Sequence, residues 1–383
     1  MSSIVHEDAV VAEVRDRLVR SGSTVTPESV ALALQSIGRP LGDRDVLEVH
    51  DALLRGSRGA GPLEDLLQLD GVTDVLVNGS DQVWFDRGRG LERHELSFPD
   101  DAAVRKLAQR LAASVGRRLD DAVPYADLRL ADGTRFHAVL APLSRPGTTI
   151  SLRVPQKRAM TMDELRASGV IGLEGAQLLR RVISSRCAFL VCGGTGSGKT
   201  TLLDSLLSEV DRDERIVIVE DSGELRPDHP HVVALESRQA NIEGAGAVSM
   251  SVLVRQALRM RPDRLVVGEV RGAEIVDLLA ALNTGHEGGC GTIHANSPAA
   301  FPARVEALAL AAGMSRAAAQ AQLLSAVDVV VHMKRERARR YVSEFGVIER
   351  DPVDGVRVSS AVIFDGTSVL EGPGAQRLVE LLG

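Results

Sequence analysis

Lysine is nearly missing from this chain: of 45 basic residues only Lys106, Lys157, Lys199 and Lys334 are lysine. Aromatic residues are scarce too, at 3%. A single-stranded nucleic-acid binder needs aromatic platforms in a basic groove, so this scarcity and the net charge of −7 argue against nucleic acid as the partner. Cysteine is limited to Cys187, Cys192 and Cys290, an odd number too small for a disulfide framework, as expected in a reducing compartment. No window approaches the roughly 18 apolar residues of a membrane span. The opening MSSIVHEDAVVAEVRDR lacks an apolar run of signal-peptide length. A cytoplasmic protein is expected.

What is present suits a soluble α/β protein. The 383 residues, 44% hydrophobic and 25% charged, suffice for two or three domains with separate cores. Residues 1–60 read as short amphipathic helices and a linker. TPESVALALQSIG begins with a Thr26 cap and Pro27 at the first helical position, and RGSRGAGP (55–62) has linker composition. Over 61–155 the pattern is mixed. VTDVLVNGSDQVWFD predicts a hairpin at Asn78-Gly79, DAAVRKLAQRLAASVG a helix, DLRLADGTRFHAVLAP a hairpin at Asp132-Gly133, and TTISLRV a strand. Over 156–383 the apolar runs CAFLVC, RIVIVE, RLVVGEV and VDVVVHM alternate with helical segments. Such runs predict a mostly parallel sheet covered on both faces. The basic run KRERARR (334–340) reads as a solvated hairpin turn, and the chain end as a strand, a turn and a short helix.

The strongest chemical signal is CAFLVC-GGTGSGKT-TLLDSLLSEV, a buried strand, a glycine-rich loop and a helix. Gly193, Gly194, Gly196 and Gly198 let backbone N–H groups turn inward around phosphate oxygens, together with Thr195, Ser197 and Thr201, at the positive end of the following helix. Lys199 supplies a point charge to the β- and γ-phosphates, and the Thr200 hydroxyl can hold Mg²⁺. ATP and Mg²⁺ are the expected ligands.

Such sites need carboxylates at neighbouring strand ends. RIVIVED supplies Glu220, with Glu224 following in DSGEL. RLVVGEVRG supplies Glu269, with Gly268 where many P-loop enzymes carry Asp. Glu269 is expected to polarise the attacking water, and Glu220 and Glu224 to support Mg²⁺ or water. Arg271 either pairs with one of these acids or reaches phosphate.

NTGHEGGCGTIHANSP places His286, Cys290 and His294 four residues apart. The spacing suggests zinc, but three donors fall short of a four-ligand structural site. Residues four apart on a strand lie about 13 Å from each other, and Gly288, Gly289 and Gly291 oppose a helix. No zinc is expected. Instead His294, at a strand end, is the candidate to sense phosphate or hydrogen-bond the attacking water, with His286 at the preceding turn as the second candidate.

GGTGSGKT, IVIVEDSGEL, LRMRPDRLVVGEVRGAE and NTGHEGGCGTIHANSP, in this order, resemble the secretion ATPase superfamily of type II and type IV secretion and type IV pilus motors. There they are called Walker A, the Asp box, an atypical Walker B and the His box. GAGPLEDLLQLDGVTDVLVNG and VGRRLDDAVPYADLRLADGTRFHAVLAP are similar to the CpaF/TadA branch of Tad (Flp) pilus assembly, whose actinobacterial members are often labelled conjugal-transfer-associated. The likeness spans roughly residues 60 to 335.

The resemblance implies a PAS-like α+β N-terminal domain, a RecA-like P-loop ATPase domain and a homo-hexameric ring. It also implies polytopic inner-membrane platform proteins as partners and a place at the inner face of the cell membrane. By family position it makes Arg135 and Arg153 the N-terminal arginines that grip nucleotide phosphates. Two other readings compete: a RecA-like DNA motor or conjugation factor, which single-stranded DNA would stimulate, and a nucleotide switch that does not hydrolyse.

Overall fold

The structure is a computed structural model that describes residues 10–11, 13–14, 17–18, 26–37, 46–47, 49–50 and 59–383, apart from 89, 156–157, 239–244, 338, 354 and 366–368. It falls into two compact units, residues 1–155 and 156–383. Among the described residues no helix is long and apolar enough to cross a membrane.

In the first unit, helix α1 (Pro27–Ser36) starts where Thr26 and Ser29 cap each other reciprocally. Val30, Ala33 and Leu34 of α1 pack with Val10, Val14 and Leu18, which recur every four residues. The rest of the expected N-terminal helix and the first half of the 55–62 linker lie outside the described residues.

The sheet of this unit is antiparallel throughout. Its strands are β1 (Asp74–Asn78), β2 (Val83–Asp86), β3 (Leu91–His94), β4 (Tyr125–Arg129), β5 (Arg135–Val139) and β6 (Thr149–Arg153), in the order β3-β2-β1-β6-β5-β4. Both expected hairpins form, and at the second Gly133 takes φ +90°. Helix α2 (Asp101–Ser114), capped by the Asp100 carboxylate, contributes Val104, Leu107, Ala108 and Leu111 to a core with Val75, Val77, Phe136 and Leu152.

The second unit is built on nine strands. They are β7 (Phe189–Gly193), β8 (Ile216–Glu220), β9 (Val232–Glu236), β10 (Arg264–Val270), β11 (Cys290–Ile293), β12 (Val329–Glu336), β13 (Arg339–Asp351), β14 (Gly355–Phe364) and β15 (Val369–Glu371). The order is β15-β14-β13-β12-β7-β11-β10-β8-β9. From β12 to β9 every pairing is parallel; β13 to β15 extend the sheet antiparallel.

Side chains leave β7 alternately. Phe189 and Val191 join one core, with helices α3 (Leu173–Ser184), α4 (Lys199–Leu207) and α9 (Ala375–Leu382). Leu190 and Cys192 join the other, with α5 (Met250–Ala257), α6 (Glu274–Leu282), α7 (Phe301–Ala311) and α8 (Arg316–Ala326). The apolar runs are therefore buried on both faces, and the fold is α/β with a mostly parallel sheet in this unit. The carboxyl ends of β7, β8, β10 and β11 share one edge, the edge where open α/β sheets bind ligands.

Candidate nucleotide site

At that edge β7 runs straight into the P-loop. Gly196 and Gly198 take φ of +68° and +94°, and α4 begins at Lys199, so its first N–H groups face the loop. The Lys199 ammonium is buried and donates to the Gly193 and Gly194 carbonyls at 3.2 and 3.1 Å. Burial pushes its pKa down, and the Glu269 carboxylate works the other way. Thr195 is exposed, while Thr200 and Thr201 are half-buried in the first turn of α4.

Strand β10 is irregular where the chemistry sits. Its pairing with β11 shifts register between Val267 and Val270, so Gly268 and Glu269 occupy a bulge, a feature that re-aims side chains near active sites. The buried Thr292 hydroxyl on β11 donates to the Gly268 carbonyl at 2.7 Å and pins that bulge. Glu269 then sits between two partners. Arg271 Nη2 pairs with Glu269 Oε2, and His294 Nε2 lies 2.6 Å from Glu269 Oε1. Burial pushes the His294 pKa down, with Lys199 acting in the same direction and Glu269 opposing. Burial thus favours the neutral ring, whose Nε2 stands against the Glu269 carboxylate. Arg271 is fixed in turn because its backbone N–H and that of Gly272 both donate to Glu274 Oε1, at 2.6 and 2.7 Å.

Glu220 closes the other flank from β8. Its Oε1 accepts the Glu224 and Leu225 N–H groups at 3.0 and 3.1 Å. Its Oε2 is buried and has no hydrogen-bond partner among the described residues, a costly state for a carboxylate. Burial pushes its pKa up to about 7. An orphaned, buried carboxylate oxygen at the phosphate-binding edge, with the Thr200 hydroxyl at the head of α4, is a hard-oxygen donor set that fits Mg²⁺. Glu224 serves this loop through its backbone N–H, while its side chain is exposed. Asp204, buried on α4, holds the next turn by accepting the Arg226 N–H at 2.7 Å.

The structure brings Lys199, Glu269, Arg271 and His294 together, with Glu220 alongside. It does not bring His286 to them. Cys290 pairs with Phe189 at the amino-terminal edge of the sheet, and His286 precedes that edge, with Nδ1 3.2 Å from the Ala281 carbonyl at the end of α6. A strand length separates the two histidines.

In the first unit Arg135 and Arg153 are direct partners across β5 and β6. Arg135 makes two hydrogen bonds to the Asp127 carboxylate, and Arg153 pairs with Asp74 at 3.2 Å. Arg129 pairs with Arg135 on the next strand, so three arginines form one row. Sequence reasoning missed Arg129, Thr292, Asp204 and Glu274. The hairpin at Asp132-Gly133 carried the signal for Arg129, since it places Arg129 opposite Arg135.

Residues 57–351 match the family model described as type II/IV secretion system protein. A Mycobacterium tuberculosis (strain ATCC 25618 / H37Rv) protein named for conjugal transfer is 54% identical over 317 residues, covering 81% of this chain and 90% of that one. The conjugal transfer protein TrbB of Rhizobium radiobacter is 33% identical over 284 residues, covering 73% of this chain and 84% of that one. Among solved structures, the pilus retraction motor PilT with bound ADP matches with a TM-score of 0.52 at 18% identity, covering 84% of this chain and 85% of that one. At that identity the likeness concerns the fold. With the family model matched across 57–351 and a relative 54% identical over 81% of this chain, the chain belongs to the type II/IV secretion system protein family.

Proposed function

We propose that this chain is an ATP-hydrolysing motor that powers a membrane-bound secretion or pilus-assembly machine of the Tad, type II or type IV kind. The observation that carries the reading is Glu269, held between Arg271 and His294 on a bulge beside Lys199. Lys199 and the P-loop N–H groups bind the phosphates. Glu269 orients the attacking water and accepts its proton, and His294 holds the Glu269 carboxylate in position. Glu220 and Thr200 would hold Mg²⁺, which supplies charge neutralisation at the phosphate oxygens. By the sequence resemblance Arg135 and Arg153 are further candidates for phosphate contact, a task that Arg forks suit.

A homo-hexameric ring acting on polytopic platform proteins at the inner face of the membrane completes the proposal. It rests on the sequence resemblance to the secretion motors. Phosphate release by purified protein with Mg²⁺ and ATP tests the activity, and light scattering with a non-hydrolysable ATP analogue tests the ring. Absence of turnover with ATP bound would favour a nucleotide switch.

A conjugation factor is the second reading, favoured by the names of the Mycobacterium and Rhizobium relatives. It shares the same ATPase chemistry and differs in cargo. Stimulation of turnover by single-stranded DNA would support it.

A further inference from the structure

Strand β12 pairs with β7 as far as Met333 opposite Gly193. There β7 turns into the P-loop, so β12 runs on past the loop without it, paired only with β13 on its other side. The residues that overhang are basic. Lys334, Arg335, Arg337, Arg339 and Arg340 stand against a single acid, Glu336, which is paired with Lys334 at 2.7 Å.

Two of these arginines reach the P-loop itself. Arg340 Nε donates to the Gly196 carbonyl at 2.8 Å. Arg335 Nη1 lies so close to Gly196 that a Cβ there would sit 2.9 Å from it. Between hairpin and loop is a cavity of about 380 Å³, lined by Gly194, Thr195 and Ser197 on one side and Lys334, Arg335 and Arg337 on the other. Arg337 holds φ +54° at the hairpin turn, a left-handed conformation that favours glycine or asparagine. Arg337 lines this cavity beside Arg335, whose Nε donates to the Arg337 carbonyl at 3.1 Å.

We propose that the β12–β13 hairpin is an anion-binding arm of the nucleotide site. Arg335 and Arg337 contact the phosphate chain of a nucleoside di- or triphosphate held by the P-loop of the same chain, and Arg340 is a positioning residue that clasps the apex of the loop. The inference rests on the nucleotide-binding reading above. A solvated turn, the plain reading of KRERARR, needs no contact with Gly196 and no shared cavity. The ligand class follows from the charge: guanidinium forks facing a phosphate loop select several phosphate groups rather than a nucleoside.

Calorimetric titration of the full-length protein with ATP, ADP and inorganic pyrophosphate tests the arm. The variants are Arg335→Gln/Arg337→Gln, the charge-keeping Arg335→Lys/Arg337→Lys, and Arg339→Ala, whose guanidinium sits over the Tyr341 ring outside the cavity. Removing two charge-assisted contacts should weaken pyrophosphate and ATP binding about tenfold or more. The glutamine variant should also show a shallower salt dependence. The lysine variant should recover much of the affinity, and Arg339→Ala should bind as wild type does.

Glutamine and wild-type proteins with affinities within about twofold would overturn the arm while leaving nucleotide binding by Lys199 intact. Equal losses in the glutamine and lysine variants, with a lowered melting temperature in both, would also overturn it. A wild-type protein that binds none of the three probes would refute the nucleotide-binding reading itself.

Discussion

The Glu220 side chain fills the space that a side chain at position 268 would need. A Cβ at Gly268 would lie 2.6 Å from Glu220 Cγ and 3.0 Å from its Oε1. Val267 and Val219 are register partners just before them. Many P-loop enzymes place an aspartate at the Gly268 position; here the carboxylate in that space comes from the neighbouring strand. The glycine is thus explained by close packing.

That relationship predicts the effect of restoring the missing aspartate. Gly268→Asp forces two carboxylates into one site, so it should melt several degrees lower and lose most ATP turnover. Overpacking alone costs about 1–3 kcal/mol. In Glu220→Ala/Gly268→Asp the collision is gone, and melting temperature should recover most of the loss. A single Gly268→Asp variant with wild-type melting and turnover would contradict the packing.

Glu220 also predicts a pH signature, readable by melting in the absence of metal and nucleotide. Burial raises its pKa from 4.5 to about 7, so between those values the folded protein keeps a proton that the unfolded chain releases. The contribution of this group to stability therefore falls as pH rises through that window and levels off above about 7. Glu220→Gln removes the dependence. Its melting temperature relative to wild type should climb from pH 5 to pH 8, and a constant difference would count against a buried, proton-binding Glu220.

The bulge at Gly268 and Glu269 depends on one hydroxyl. Thr292→Val keeps the shape but leaves the buried Gly268 carbonyl without its donor, at a cost of about 1–3 kcal/mol. Turnover should fall along with stability, because Glu269 is no longer fixed in direction. Unchanged kcat would mean that the bulge holds itself.

On the proposed mechanism His294 acts on Glu269 rather than on phosphate. His294→Ala should lower kcat about 10- to 100-fold, with nucleotide affinity within a few-fold of wild type. A loss expressed mainly in nucleotide affinity would move His294 to a phosphate contact. His286→Ala, at the opposite sheet edge, should leave kcat within about twofold.

Much of the site was legible because its determinants are local. CAFLVC followed by GGTGSGKT specifies strand, phosphate loop and helix with no help from distant residues, and His294 is placed by the short strand before it. Contacts made between strands were not legible. That Glu220 leans over Gly268, and that Thr292 reaches the Gly268 carbonyl, follow from the order β11-β10-β8, which alternating apolar runs do not encode. Glu224 shows a different limit: its backbone, not its carboxylate, serves the loop. The basic run at 334–340 was read as a hairpin turn, and β12 and β13 do form one. Its place over the P-loop depends on β12 pairing with β7, which no local pattern reveals. The strand read at the chain end, from VIFDG, catches only the end of β14; β13 and the rest of β14 escaped because EFGVIERD and GVRVSSAVIF mix alternation with apolar runs.

The central claim is that Glu269 is the group that activates water while Lys199 binds phosphate, and steady-state phosphate release paired with ATP-binding calorimetry tests it most directly. Wild-type protein should turn over Mg²⁺-ATP. Lys199→Ala should lose both binding and turnover, whereas Glu269→Gln should bind ATP within a few-fold of wild type yet fall about 10²–10⁴-fold in kcat. A Glu269→Gln protein that hydrolyses ATP at the wild-type rate would contradict the account.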